Sequence, residues 1–177
     1  QSGSNKVLKR MNRKYTREIY LEKVNKLKEL IPSLALTTDI IVGFPGETEE
    51  DFNETLSLVE EAGFEGAYTF IYSPRKGTPA ATFIDQIDQE TSKRRLLTLN
   101  KVINDGFLKG NKRFENTDVE VFVDGVSEKD PNILTGYTKH NKLVNFKGPK
   151  EMIGTLQNVH ITKAFTWHLR GDLIKKE

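Results

Sequence analysis

Apolar residues follow two different patterns along the chain. In the first part they recur at helical spacing over 16–31, 48–63 and 88–108. Between these predicted helices lie two runs, 34–42 and 66–72, which are rich in β-branched and aromatic residues and show little alternation. Such runs are typical of parallel strands that are covered on both faces, so this part is predicted to be α/β.

Residues with capping preferences mark the ends of the predicted helices. Thr16 and Thr48 suit the N-cap position, and the acidic residues 49–51 would lie in a first turn, where the helix dipole favours negative charge. Gly63 is a natural C-terminal stop. Two strands do not complete a doubly wound sheet or a barrel, so residues 1–111 are expected to belong to something larger.

The last part of the chain has the pattern of short strands. Every second residue of 119–124 is a valine, and further apolar runs follow at 143–146 and 158–161, with glycines between them. This spacing of strands and turns predicts a small antiparallel β-barrel over residues 112–177. Within it, Trp167 is expected to pack in the core rather than to serve as a stacking platform.

Composition narrows the classes of function. The 177 residues carry a net charge of +2 and include three histidines but no cysteine, which excludes disulfides, thiolate metal ligands and a thiol nucleophile. The histidines form no HxH or HExxH pair, so no protein-built metal site is expected. No stretch approaches the ~20 apolar residues of a membrane span and no signal segment opens the chain, so a cytoplasmic protein is predicted. Acidic residues concentrate in 47–87, which fits solvated helix faces there and allows a polyanionic partner elsewhere.

One loop has a composition that suits a small ligand. Residues 38–48, Thr-Asp-Ile-Ile-Val-Gly-Phe-Pro-Gly-Glu-Thr, place two glycines between a predicted strand and an acid-capped helix. Ligands of α/β folds bind beyond the carboxyl ends of the strands, so this loop is well placed for a small molecule. It is not a phosphate-binding P-loop, because no Gly-Lys-Ser/Thr follows. An ordinary strand–helix turn explains the pattern equally well.

Several segments, in order, resemble the radical S-adenosylmethionine (SAM) methylthiotransferase family. The loop 39–48 resembles the fifth-strand region that meets the adenosyl group, although Asp39 stands where the family usually has its first glycine. Residues 1–4 and 8–16 resemble the end of the family's fourth strand and the helix that follows it, and residues 72–80 resemble the end of the sixth strand. Residues 129–136 and 141–146 resemble the terminal TRAM barrel of the tRNA-modifying branch.

The resemblance implies a fold class and a domain order. Residues 1–111 would be the C-terminal part of a radical SAM partial (β/α) barrel, and residues 112–177 a small antiparallel, OB-like TRAM β-barrel. The chain would thus be a C-terminal fragment of its parent enzyme. Because the neighbours of its strands would be missing, the incomplete barrel is expected to self-associate through strand edges and apolar faces.

The resemblance also implies an activity. The parent enzyme would add a methylthio group to C2 of an N6-isoprenylated adenosine beside the tRNA anticodon, using SAM and two 4Fe-4S clusters. The family holds its clusters with cysteine thiolates, which this chain lacks, so no cluster, no catalytic residue and no activity are expected on the fragment by itself. Two alternatives stay open: a similar enzyme acting on a ribosomal protein, and a non-enzymatic RNA-binding module.

Candidate cofactor residues follow from the same resemblance. Arg13 is the candidate for the methionine carboxylate of SAM, because a guanidinium grips a carboxylate with two hydrogen bonds, although a helix-surface arginine is an equally good interpretation. Gln1 and Ser2 stand where the family places polar contacts to the ribose. The remaining candidates, at the ends of the two strands, are Asp39, Val42, Gly43 and Tyr72.

Candidate substrate residues fall in two places. Arg75 and Thr78 border the expected cofactor pocket, or belong to an ordinary polar loop. The barrel candidates combine cations with a stackable ring, as in small barrels that bind RNA, and they are Lys139, His140, Asn141, Lys142, Phe146 and Lys147. The lysines are expected to face solvent, whereas core packing is the competing interpretation for Phe146.

Overall fold

The computed structural model describes residues 1–174, which divide into two compact units between Gly106 and Phe107. The helices of the chain are α1 (Asn5–Arg10), α2 (Arg17–Leu30), α3 (Glu49–Ala62) and α4 (Gln89–Lys112), and the last of them continues into the second unit. The strands of the first unit are β1 (Thr37–Val42) and β2 (Gly66–Ile71), which pair in parallel with Thr37 opposite Gly66. The predicted parallel α/β arrangement is therefore confirmed. Within the described residues, no helix is long and apolar enough to cross a membrane.

Side-chain caps fix the helix ends where the sequence predicts them. The Thr16 hydroxyl accepts a hydrogen bond from Ile19 N at the start of α2. Thr48 and Asp51 form a reciprocal capping box at the start of α3, and Gly63 ends that helix in the left-handed conformation with φ 57°. These local signals set both ends of α3, and with them the position of the loop that precedes it.

The β1–β2 sheet is covered on one face only, which corrects the expectation that both faces are buried. Ile40 is 3% exposed, and its neighbour Thr69, on the same face, donates a hydrogen bond to Asn100 of α4 at 2.7 Å. On the opposite face, Tyr68 and Phe70 are 73% and 52% exposed. The strands lack alternation in sequence because both of their faces are apolar, and the sequence does not show which face the helices of this chain cover.

The second unit is a closed five-stranded barrel. Its strands are β3 (Asp118–Val126), β4 (Ile133–Thr138), β5 (Leu143–Lys147), β6 (Leu156–Ala164) and β7 (Leu169–Leu173), in the spatial order β3-β4-β5-β7-β6. Four neighbouring pairs are antiparallel, which confirms the predicted small antiparallel barrel, and the remaining pair, β5 and β7, runs parallel. The reason is topological: an odd number of strands in a closed ring cannot alternate in direction at every step.

Alternation along the barrel strands divides their side chains between an apolar interior and a mixed exterior, where Phe122, Tyr137 and Leu156 are exposed among polar residues. The interior positions, nearly all fully buried, are Phe114, Val121, Val123, Leu134, Val144, Phe146, Val159, Ile161, Ala164 and Leu169. Gly136 and Gly171 allow close approach of neighbouring strands. A Cβ at position 136 would collide with the backbone of Phe122, and one at position 171 with the backbone of His160. Trp167, expected in this core, is instead 64% exposed because it lies in the β6–β7 turn, outside the alternation.

Candidate functional site

Three chain segments meet at the carboxyl end of the β1–β2 sheet. Gln1 lies beside β1, where its backbone oxygen accepts a hydrogen bond from Ile41 N at 3.0 Å. Tyr72 lies at the end of β2, where its amide donates to Val42 O at 2.8 Å. Gly43 follows β1 directly, with φ 72°. Residues of three separate segments thus lie close together at this end of the sheet, which is where α/β folds bind their ligands.

A buried ion pair that sequence reasoning missed holds the loop after β1. Arg95 of α4 donates to Glu47 Oε1 at 2.9 Å and to Glu47 O at 3.0 Å, and the two residues are 4% and 3% exposed. The Gly43 amide donates to the same Glu47 oxygen at 2.9 Å. Burial raises the pKa of Glu47, and the Gly43 amide and the Arg95 guanidinium act in the opposite direction. No local pattern signals a partner 48 residues away.

Contact with α4 also fixes the conformation of the loop itself. A Cβ at Gly43 would collide with the Ser92 hydroxyl, and a side chain at this φ is strained as well, so only glycine fits here. Gly46, with φ 76°, donates its amide to Asp85 O at 2.8 Å. The two glycines that marked this loop in the sequence are therefore required by close packing and positive φ.

Asp51 joins α1 to the start of α3. Its carboxylate accepts hydrogen bonds from Ser4 Oγ at 2.7 Å, Lys6 Nζ at 2.8 Å and Thr48 N at 2.9 Å. Burial acts to raise the pKa of Asp51, but these donors outweigh it and lower the pKa to about 2. The carboxylate is therefore ionised at neutral pH and keeps the segment that leads to Arg13 in place.

The structure brings the predicted cofactor residues Arg13 and Gln1 together. Arg13 Nη2 donates to Gln1 Oε1 at 2.7 Å. Asp39 lies on the exposed face of the sheet, opposite Tyr68 in the strand register. Tyr72 packs edge-on against Phe44, and its buried hydroxyl has no hydrogen-bond partner among the described residues. An orphaned hydroxyl, an exposed guanidinium and a glycine backbone at one sheet edge are groups that fit the adenosyl and amino acid parts of SAM.

Two predicted cofactor residues turn their side chains away from this edge. Ser2 is 3% exposed, and its hydroxyl lies 3.2 Å from Thr55 Oγ1 of α3. Val42 is fully buried on the helix side of the sheet. Their backbone groups are what they can offer to a ligand, and their assignment as cofactor residues stays a prediction.

Arg75 and Thr78 occupy an exposed turn that follows β2. Thr78 donates to Arg75 O through its amide at 3.1 Å and its hydroxyl at 2.8 Å, around Gly77 with φ 85°. Because the turn follows the carboxyl end of β2, it lies on the same side of the sheet as the loop after β1. The role of both residues toward a substrate stays a prediction.

The residues present do not fit an iron–sulfur cluster. Cluster ligands are thiolates, and none of the 177 residues is a cysteine. Within residues 1–174, no group of three or more His, Asp or Glu side chains is arranged to hold a metal ion.

In the barrel, the candidate RNA residues divide between surface and core. Lys139, Asn141 and Lys147 are exposed, and Asn141 takes the left-handed conformation, with φ 57°, in the β4–β5 turn. Lys142 corrects the expectation that the lysines face solvent, because it is only 7% exposed, whereas Phe146 is 1% exposed, in agreement with the core-packing interpretation.

The geometry of the β4–β5 hairpin explains why Lys142 and Phe146 are both buried. Lys142 closes the turn, because its amide donates to Thr138 Oγ1 at 3.2 Å and its carbonyl accepts from Thr138 N at 3.0 Å. Alternation along β5 then directs Val144 and Phe146 inward, which leaves Lys147 outside. The ring of His140 lies 5.4 Å from that of Phe114. The exposed part of the predicted RNA site is therefore cationic and polar but has no stacking ring.

Comparison with known proteins adds two domain matches. Residues 1–59 match the family model of the radical SAM superfamily, and residues 112–174 match that of the TRAM domain. The first match contains β1 and its glycine loop, and the second contains the whole barrel.

The same chain is closely similar to several curated proteins that share one name. It is 57% identical over 176 residues to the tRNA-2-methylthio-N(6)-dimethylallyladenosine synthase of Anoxybacillus flavithermus, which covers 99% of this chain and 33% of the relative. It is 58% identical over 174 residues to the synthase of Bacillus licheniformis, an alignment that covers 98% of this chain and 34% of the relative. It is 56% identical over 175 residues to the synthase of Oceanobacillus iheyensis, where the alignment covers 99% of this chain and 34% of the relative. The chain therefore spans about a third of the length of these relatives, in their C-terminal part.

Proposed function

Because this chain belongs to the radical SAM methylthiotransferases that end in a TRAM domain, we propose that it is the part of a tRNA-2-methylthio-N(6)-dimethylallyladenosine synthase that completes the cofactor site and binds tRNA. The intact enzyme would add a methylthio group to C2 of N6-isoprenyladenosine next to the anticodon. The observation that carries this proposal is the identity of 57% over 99% of the chain, which includes both the sheet edge and the barrel. It favours tRNA over a ribosomal protein as substrate, and a tRNA substrate would place the enzyme in the cytoplasm.

Residues 1–111 would form the cofactor-binding domain and residues 112–177 the RNA-binding domain, a boundary that falls where the TRAM match begins. SAM, with electrons from a cluster whose ligands are not among these 177 residues, supplies the radical and the methyl group when bound. Arg13 would hold the carboxylate of the cofactor, with Gln1 orienting the guanidinium. The loop at Gly43 would meet the adenosyl group through its backbone, and Tyr72 would offer its unpartnered hydroxyl.

The modified nucleoside itself tests this function. The gene that encodes this chain, expressed whole in a bacterium that lacks the synthase, should restore the methylthiolated adenosine in digested tRNA, as measured by liquid chromatography and mass spectrometry. Arg13→Ala should lower the yield about tenfold or more, because a charge-assisted bond to the cofactor is lost. The matched control is Lys14→Ala, which removes an exposed cation bonded to Asn12 and should leave the yield unchanged. Unmodified tRNA together with a methylthiolated ribosomal protein would support the alternative enzyme.

Binding of tRNA to the barrel should depend on salt. If about three lysines meet phosphates, log K should fall with log salt at a slope of roughly −2 to −3. Lys139→Ala with Lys147→Ala, two exposed positions, should flatten the slope by roughly 1.5 to 2, as measured by fluorescence anisotropy with labelled tRNA. Lys23→Ala with Lys26→Ala, two exposed lysines of α2, is the matched control. An equal change in both double variants would show that the contacts are not specific to the β4–β5 hairpin.

We also infer that the 177-residue chain associates with itself through the uncovered face of the β1–β2 sheet. Tyr68 and Phe70 expose large apolar surfaces there, and such patches drive association. Light scattering coupled to gel filtration should show a mass that rises with concentration above 20.2 kDa, the mass of one chain. Tyr68→Glu with Phe70→Glu should restore a monomer, because two carboxylates would have to be desolvated in the contact. A monomer at high concentration without these changes would contradict the inference.

A further inference from the structure

Two segments of the second unit, far apart in sequence, meet at one place on its surface. The first is residues 107–113, Phe-Leu-Lys-Gly-Asn-Lys-Arg, at the end of α4, and the second is residues 163–170, Lys-Ala-Phe-Thr-Trp-His-Leu-Arg, around the β6–β7 turn. Asn111 joins them: it is 4% exposed, and its Nδ2 donates to Phe165 O at 2.8 Å and to Thr166 O at 3.1 Å. We call this pair of segments the helix–turn surface.

The helix–turn surface carries rings that are presented to solvent. Trp167 is 64% exposed and meets Phe107 edge-on, with ring centroids 5.0 Å apart at 70°. Phe165 and His168 stack at 4.5 Å with an angle of 12° between their planes. Burial and the neighbouring cations Arg170 and Lys129 lower the pKa of His168, which favours the neutral ring. Because 64% of Trp167 is exposed, most of its surface is open to another flat ring.

Two cations lie beside the Phe165 ring, and three more belong to the same two segments. The two segments contain Lys109, Lys112, Arg113, Lys163 and Arg170 but no Asp or Glu. Lys163 Nζ lies 5.2 Å and the Arg170 guanidinium 5.4 Å from the centre of the Phe165 ring. A nearby carboxylate, that of Glu115, accepts a hydrogen bond from Ala164 N at 2.8 Å. The segments therefore present excess positive charge beside an open aromatic ring.

We propose that the helix–turn surface is a second RNA-binding site of this domain, which takes an unpaired stretch of RNA by stacking a base on Trp167 and placing phosphates among the surrounding cations. The inference rests on the proposed function, because it names a further contact to the same tRNA partner. Unpaired bases are the part of RNA that proteins recognise by stacking, whereas bases inside a duplex are already stacked on one another. RNA fits better than a protein partner, because it brings its own negative charge to every nucleotide beside the ring. The surface borders the β4–β5 hairpin, because Arg170 lies opposite Asn145 in the pairing of β7 with β5, but it adds the ring of Trp167 to the exposed residues of that hairpin, Lys139, Asn141 and Lys147.

The fluorescence of Trp167 reports directly on binding at this surface, because Trp167 is the single tryptophan of the chain. Titration of the 177-residue chain with a single-stranded RNA oligonucleotide about ten nucleotides long should quench tryptophan emission, since a stacked base lies against the indole. The quenching curve should give the same Kd as anisotropy of the labelled oligonucleotide. A duplex of the same sequence should bind more weakly and quench less.

Variants of Trp167 distinguish a loss of base stacking from a loss of folding. Trp167→Ala should weaken binding about tenfold, within the range measured for loss of one stacked base, whereas Trp167→Phe keeps a ring and should lose much less. Thermal melting followed by circular dichroism checks that each variant folds. Lys139→Ala with Lys147→Ala should weaken binding without changing the quenching at saturation, because it removes phosphate contacts and keeps the indole on which the base stacks.

The outcomes distinguish this inference from the function on which it rests. A chain that binds no RNA at all would overturn the proposed function, and the second site with it. RNA binding with unchanged tryptophan emission, together with an unchanged Kd for Trp167→Ala, would overturn the second site and leave the proposed function standing. Loss of self-association in Trp167→Ala, with RNA affinity unchanged, would assign the surface to a protein contact instead and would also overturn the proposal.

Discussion

Replacing Arg95 with methionine is expected to lower the free energy of unfolding of the first unit by about 3–5 kcal/mol. Methionine fills much of the same space, but it leaves the carboxylate of Glu47 buried without a counter-charge. It also removes the donor to Glu47 O, in the loop that leads from β1 to α3. Chemical unfolding followed by circular dichroism at 222 nm measures this loss, because the helices of α1 to α3 belong to the first unit.

The neighbouring residue provides a matched control. Arg94 also pairs with a carboxylate, that of Glu49 at 2.8 Å, but its side chain is 54% exposed. Arg94→Met should therefore cost no more than about 1 kcal/mol, as is usual for a surface ion pair. Adding Glu47→Gln to Arg95→Met should recover part of the lost stability, because the buried charge is then removed. Equal losses for the two single variants would show that burial does not govern the contribution of Arg95.

Phe146→Ala is expected to destabilise the barrel by about 3–5 kcal/mol. The ring is 1% exposed among the side chains of the barrel interior, so its removal loses apolar burial and leaves a cavity. Emission of Trp167, the single tryptophan, follows unfolding of this unit separately from the helices of the first. In this variant the unfolding transition followed by tryptophan emission should therefore occur at a lower denaturant concentration than the transition followed by circular dichroism at 222 nm.

A conservative variant distinguishes packing from RNA contact at this position. Phe146→Leu keeps most of the apolar volume and should cost less than about 1.5 kcal/mol, with tRNA affinity unchanged. Tyr137→Ala, at a β4 position that is 42% exposed, removes a ring from the outer surface and should also be mild. If Phe146→Leu folded normally but bound tRNA more weakly, the ring would have a binding role that its burial does not indicate.

Local signals in the sequence predicted the elements of this fold closely. The caps at Thr16 and Thr48 and the stop at Gly63 lie where the structure has them, because capping depends on hydrogen bonds within one turn of the helix. Alternation at period two likewise predicted β3, because successive side chains of a strand point to opposite faces, and short apolar runs predicted β5 and β6, whereas β4 and β7 were not predicted. The glycine loop after β1 was recognised for the same reason: the positive φ of Gly43 and Gly46 is a property of single residues.

Burial and partnership at the candidate sites depended on contacts between distant segments. Trp167, expected in the core, is exposed, and Phe146, a candidate for stacking, is buried, because hydrophobicity alone does not say whether an aromatic residue lies in a strand or in a turn. The Arg95–Glu47 pair and the contact of Asn111 with the β6–β7 turn join residues about 50 positions apart, and no local pattern encodes such a pairing. The parallel pairing of β5 and β7 follows from closure of an odd ring of strands, which exists only once all five are in place. The sequence by itself thus determined the elements and the family resemblance, through short-range torsion and hydrogen-bond preferences, whereas packing in the tertiary structure decided which of the candidate side chains a ligand can reach.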